Sequence, residues 1–182
     1  MSLLKLFVAA LALGLSTCAS AQDSGARDAS FVRGRAAYLP ASTLSLLTKV
    51  EDFCKSADQS ARDAMVAAVD GWRLRHAELL QENSRVLNEL KAEVNAPEAG
   101  PGLKAALDNM LDQRVPQQVE TDYKKMVPPD ASQGWASKAF VCGANAGMIK
   151  DGKYDLERFD PAVADYLRKQ IAQRKSGDPA GP

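Results

Sequence analysis

A single histidine, His76, serves the whole 182-residue chain, and that scarcity excludes more chemistry than any motif supplies. Zinc-type centres draw on several His, Cys or carboxylate side chains at fixed spacing. His76 has none of these one turn away on its own helical face, because Glu78 is two residues on and points elsewhere. No C-x-x-C-H segment is present for covalent haem. The methionines that a haem could use, Met65, Met110, Met126 and Met148, read as ordinary core filler at helical spacing. The reading is a chain that takes no metal and no cofactor.

Catalysis loses its usual parts in the same way. There is no G-x-S-x-G elbow, and a Ser-His-Asp set would have to recruit His76 from the apolar face of a helix. An EF-hand register fails: counted back from Gly152, its first ligand would be Gly147 and its last Arg158. The acidic pairs Asp108/Asp112 and Glu78/Glu82 are spaced i,i+4 on faces that read as solvated, without apolar neighbours to raise a pKa.

Charge excess is also missing. Lysine plus arginine number 23 and aspartate plus glutamate 23, with no basic cluster interleaved with aromatics, so nothing draws the chain to nucleic acid. No run of alternating β-branched residues and no repeat is found, which removes strands and solenoids. Past residue 21 no stretch is apolar enough for a transmembrane segment, which needs roughly 20 such residues.

What is present begins with the amino terminus. Lys5, the apolar run from Leu6 to Leu15 and the small-residue stretch ending Ala19-Ser20-Ala21 have the order of a secretory signal peptide, with cleavage expected after Ala21. Leu15-Ser16-Thr17-Cys18 offers a lipoprotein alternative anchored through Cys18, although Thr17 stands where Gly, Ala or Ser usually precedes the cysteine. Either route predicts a periplasmic or otherwise exported protein. In that compartment Cys54 and Cys142 most simply pair. Neither sits in a C-x-x-C motif, so the bridge is expected to be structural.

Helical periodicity accounts for the rest. Residues 22–39 read as a mobile leader, 40–174 as a single helical domain and 175–182 as a disordered tail. Leu46, Val50 and Phe53 share one face of a first helix starting near Pro40. Met65, Val69, Trp72, Leu79, Leu87, Leu90 and Val94 hold phase over about 35 residues, which predicts one long central helix, bent at Gly71 and capped by Ser60 to Asp63. Its other face, with Arg73, Glu82, Arg85 and Glu89, reads as solvated. Asn95 to Gly102 is a loop; Leu103, Leu107 and Met110 begin a third helix that Pro116 should kink or split. A fourth helix is expected after Ser132, carrying Trp135, Ala139, Cys142, Ala146 and Ile149. Asp160-Pro161 caps a last helix with Val163, Tyr166, Leu167 and Ile171 inside. The expected fold is all-α: a compact bundle of about five helices around the long one, with one disulfide.

Two polar residues interrupt the apolar midline of the long helix: His76, one turn after Trp72, and Asn83 two turns on. Buried polar groups need partners. Trp72, His76 and Asn83 are therefore the candidate binding residues, either as an internally satisfied set that fixes register or as the polar wall of a pocket. The kinked stretch Leu103–Val127 is a second candidate surface. Absent catalytic motifs favour a non-enzymatic interaction module of the cell envelope, protein-binding, inhibitor-like or chaperone-like, whose partner is an unknown envelope protein or component. The alternatives are a small-molecule carrier with a pocket near His76 and a cell-envelope hydrolase of unrecognised type.

Overall fold

The computed structural model describes residues 29–129 and 137–177. The signal segment with Cys18, residues 22–28 of the leader, Ser132, Trp135 and the last five residues lie outside the described residues.

Every regular element among the described residues is helical. Helix α1 covers residues 29–36. It is followed by α2 (Leu39–Cys54), α3 (Gln59–Arg75), α4 (Ala77–Val94) and α5 (Pro101–Asn109). A π-helical turn, Met110–Arg114, joins α5 to α6 (Val115–Met126). The chain closes with α7 (Lys138–Lys150), the short α8 (Leu156–Phe159) and α9 (Pro161–Ser176). None of these helices is long and apolar enough to cross a membrane. Together they form a compact helical bundle, and Cys54 is bridged to Cys142.

Most of the predicted stripes turn inward, although Leu103 of the third is 60% exposed. Met65, Val69 and Trp72 of α3 meet Leu47 and Val50 of α2 and Cys142 and Ile149 of α7 in one core. Each fully buried side chain of this size contributes about 1.5–3 kcal/mol. Leu79 and Val86 of α4 belong to a second core with Leu156, Val163, Leu167 and Ile171. Asp160 caps α9 as its sequence implies, its side chain accepting from the Val163 N–H, with Pro161 in the first turn.

Several expectations need correction. The long helix is broken at His76, not bent at Gly71, which lies inside α3. The Trp72 carbonyl takes both the His76 N–H at 3.1 Å and the His76 Nδ1 at 3.0 Å. A side chain inserted into the i→i−4 ladder in this way is a usual cause of a kink. The break lets the spine leave the first core and enter the second without losing hydrophobic phase. The α3 cap is Asp58, accepting from the Ala61 N–H at 2.9 Å, rather than the Ser60 box. The folded body also begins before Pro40: Ala36 and Ala37 are fully buried, and α1 is fastened to α4 by the Arg33–Glu93 pair. The kink at Pro116 is a π turn that ends just before it, and no residue of α5 is buried. The fourth helix starts at Lys138, capped by Ser137. Glu82, placed on a solvated face by its spacing, is 0% exposed.

Candidate functional site

The three residues singled out by sequence are buried and satisfied within the chain. Trp72 stacks on His76 with ring centroids 4.3 Å apart and donates from Nε1 to the Tyr154 carbonyl at 2.9 Å. His76 Nδ1 faces the Trp72 carbonyl, and its Nε2 lies 3.4 Å from the Leu156 N–H and 3.3 Å from Glu157 Oε2. Asp155 is 3.9 Å from the same nitrogen and is itself held by Arg75 at 3.0 Å. Asp155 ends the α7–α8 connection and Glu157 lies in α8, so helical spacing around His76 gave no sign of them. Asn83 stands apart from the other two and donates to the Ala36 carbonyl at 2.7 Å, holding α1 in place. Trp72 and His76 are thus brought together, Asn83 is not, and none of the three lines the large cleft of the bundle.

The cavity lies on the other side of α2. Helices α6 and α7 both pack on α2, and the cleft opens between them, with α1 and the 153–159 segment completing its wall. Its volume is about 1370 Å³, above the roughly 300–1,000 Å³ usual for small-molecule sites. Leu39, Leu46, Val115, Val119, Met126 and Val141 line it. Lys49 fixes α6 on α2 by pairing with Glu120 and lying 4.6 Å over the Tyr123 ring. The Glu120 carboxyl is held below its usual range by that lysine.

Three phenylalanines mark the cavity wall and remain in water: Phe31 at 65% exposure, Phe140 at 64% and Phe159 at 42%. Large exposed apolar groups gathered at one opening are a binding signal, whereas scattered ones are not. None of the three lies on a predicted stripe. The sequence did mark one wall: Val115, Val119, Asp122 and Met126 belong to the kinked stretch Leu103–Val127 read as a second candidate surface, while its first helix, α5, contributes nothing to the lining.

Polar groups interrupt the apolar wall, Asn145, Asp122 and Tyr154 among them. Asn145, 2% exposed, pins α7 to α6: its Nδ2 donates to the Met126 carbonyl and to the Val141 carbonyl, both at 2.9 Å. These two bonds fix the amide orientation, and its Oδ1 is buried without a hydrogen-bond partner. Burial raises the Asp122 carboxyl, but hydrogen bonds from Gln118 and Lys125 outweigh it and hold the group below its ordinary value. Burial, with the charge of Asp122, pushes the Tyr154 phenol above its ordinary value, so it remains a neutral donor. The Tyr154 carbonyl that binds Trp72 ties this wall to the first core. Gly152, at φ +73°, makes the turn that sets Tyr154 there; a Cβ would meet Asp155 Oδ2 at 2.8 Å.

The acidic pairs do not converge on this cleft. Asp108 is paired with Lys104 at 2.5 Å and Glu78 with Lys175 at 2.9 Å, while Asp122 is the single acid lining the cavity. Among the described residues no group of three or more His, Cys, Asp or Glu side chains could hold a metal ion.

A scan for known protein families and searches of curated proteins and of solved structures find no match to this chain.

Proposed function

We propose that this chain is an exported, non-enzymatic binding protein of the cell envelope that carries an apolar small molecule in the cleft between α6 and α7. The observation that carries this reading is the cleft itself: about 1370 Å³, lined mostly by apolar surface and bordered by exposed Phe31, Phe140 and Phe159. Carriage thus moves away from His76, whose ring is buried and internally bonded. Hydrolysis of a glycan needs two carboxyl groups flanking one bond, and the cleft supplies only Asp122.

The reading is tested with N-phenyl-1-naphthylamine, whose emission rises in apolar surroundings. The wild-type protein should bind it saturably. Ala144 lines the cleft on α7 and is exposed, so Ala144→Trp obstructs the cavity at little cost to the core. Affinity should fall at least about tenfold, a change of about 1.4 kcal/mol, with the unfolding midpoint unaltered. No saturable binding, or equal affinity in the variant, would remove the carrier reading.

Export is part of the same proposal. A Cys54–Cys142 bridge suits an oxidising compartment. The intact mass of protein recovered from an expressing bacterium's envelope should correspond to a chain starting at Gln22 and lacking two hydrogens. A lipidated chain starting at Cys18 would replace secretion by anchoring. An uncut chain from Met1 would end the export reading.

A further inference from the structure

Resting on the carrier reading, we infer that the guest is an anionic amphiphile, an acyl chain whose acidic head also carries an N–H or O–H donor for Asn145 Oδ1. Two independent features point to that chemistry.

The first is charge. The chain as a whole is neutral, yet the cavity wall holds Arg35, Arg114, Lys125 and Lys153 against the single acid Asp122. Arg35 is paired with Asp160, and Lys125 with Asp122 at 2.7 Å. Arg114 and Lys153 have no carboxylate partner among the described residues. Arg114 Nε donates to the neutral Asn109 amide at 3.1 Å, and Lys153 Nζ reaches the Met148 sulfur at 3.3 Å. Two cations left with neutral partners beside an apolar cleft fit a guest that brings its own negative charge. A neutral hydrocarbon would leave them unused, and a cationic detergent would be repelled.

The second is the orphaned oxygen of Asn145. A buried acceptor without a partner is costly, and few are left in folded proteins. The Met126 and Val141 carbonyls commit the amide nitrogen, so the side chain cannot satisfy its oxygen by turning over. The residue lines the cavity, where a guest can supply the missing donor. Any donor there completes a bond that costs the protein nothing to prepare. A guest without one leaves the oxygen desolvated.

Displacement of the naphthylamine probe by twelve-carbon ligands, each below its micelle concentration, tests both features. Laurate should displace the probe at least tenfold better than dodecanol, and dodecyltrimethylammonium should be weaker than either. The variant R114Q/K153Q changes two exposed side chains and should cut the laurate advantage to threefold or less while leaving dodecanol unchanged. N-lauroylglycine, which keeps an amide N–H, should surpass N-lauroylsarcosine, which lacks it, by about tenfold. That ratio should survive R114Q/K153Q and collapse in Asn145→Leu. Equal displacement by laurate and dodecanol would overturn the anionic head, and equal displacement by the two lauroyl amino acids would overturn the donor. In both cases the probe would still bind, so the cleft would stand. Absence of probe binding to the wild-type protein would instead remove the carrier reading beneath them.

Discussion

Replacing Cys54 and Cys142 together by alanine should lower the unfolding free energy by about 4–5 kcal/mol, as chain entropy predicts for the loop they close. The sequence separation is 88 residues, which puts the bridge near the upper end of that scale. The loss matters because a domain's whole net stability is about 5–15 kcal/mol. For a chain of this size, it should shift the thermal midpoint by on the order of 15 °C. Both cysteines are fully buried in the first core, so alanine avoids placing a hydroxyl there. The bridge joins the end of α2 to the middle of α7, two elements that bound the cleft. Probe affinity should therefore fall along with stability. Thermal melts of the wild type with and without dithiothreitol, beside the double variant, provide the measurement. A shift of less than about 3 °C would mean that packing alone holds α2 against α7, and that the bridge adds nothing to the cleft.

The elements fixed by local rules were legible before the structure. Met65, Val69 and Trp72 repeat at helical spacing and bury together, and Asp160-Pro161 starts α9 where a cap and a first-turn proline should. The disulfide followed from counting cysteines. What failed depends on partners remote in sequence. The apolar phase runs unbroken from α3 into α4, so periodicity could not register the break that the His76 ring makes at the Trp72 carbonyl. Glu82 and Arg85 have the same i,i+3 spacing whether water or a second helix lies beyond them. Only the docking of α9 decides which. The cleft was legible on one wall alone, the part of the stretch Leu103–Val127 from Arg114 to Met126. Its walls come from α1, α2, α6, α7 and the segment before α9, and its aromatic marks are residues that fit no stripe. Asn145 adjoins the correctly read Ala146, yet nothing in the spacing says that its oxygen lacks a donor.

Glu82 is the hinge of the second core, and Glu82→Leu should destabilise the fold by about 2–4 kcal/mol without changing probe affinity. The carboxylate is fully buried. Its Oε1 accepts from Arg85 Nε at 2.8 Å, and Oε2 pairs with Arg174, so one acid joins α4 to α9. Arg85 reaches onward to Glu89 and to Gln170 of α9. Removing one partner of a buried pair typically costs 3–5 kcal/mol, because the charges left behind are stranded. Here the arginines are partly solvated, at 25% and 42% exposure, and can turn towards water, which lowers the cost. Glu82→Gln keeps the shape and separates lost charge from lost packing. Combined with Arg174→Ala in a double-mutant cycle, it should show a coupling above about 1 kcal/mol, since the two groups share one contact. A coupling near zero would show that water already screens the pair and that apolar contacts hold α9 in place. Loss of probe binding in proportion to stability would show that the two cores melt as one. Retained binding would confine the damage to the side of His76 away from the cleft. The contrast with the cysteine variant is then sharp. Both changes lower the melting temperature, but only the one that unties the helices bounding the cleft should loosen the guest.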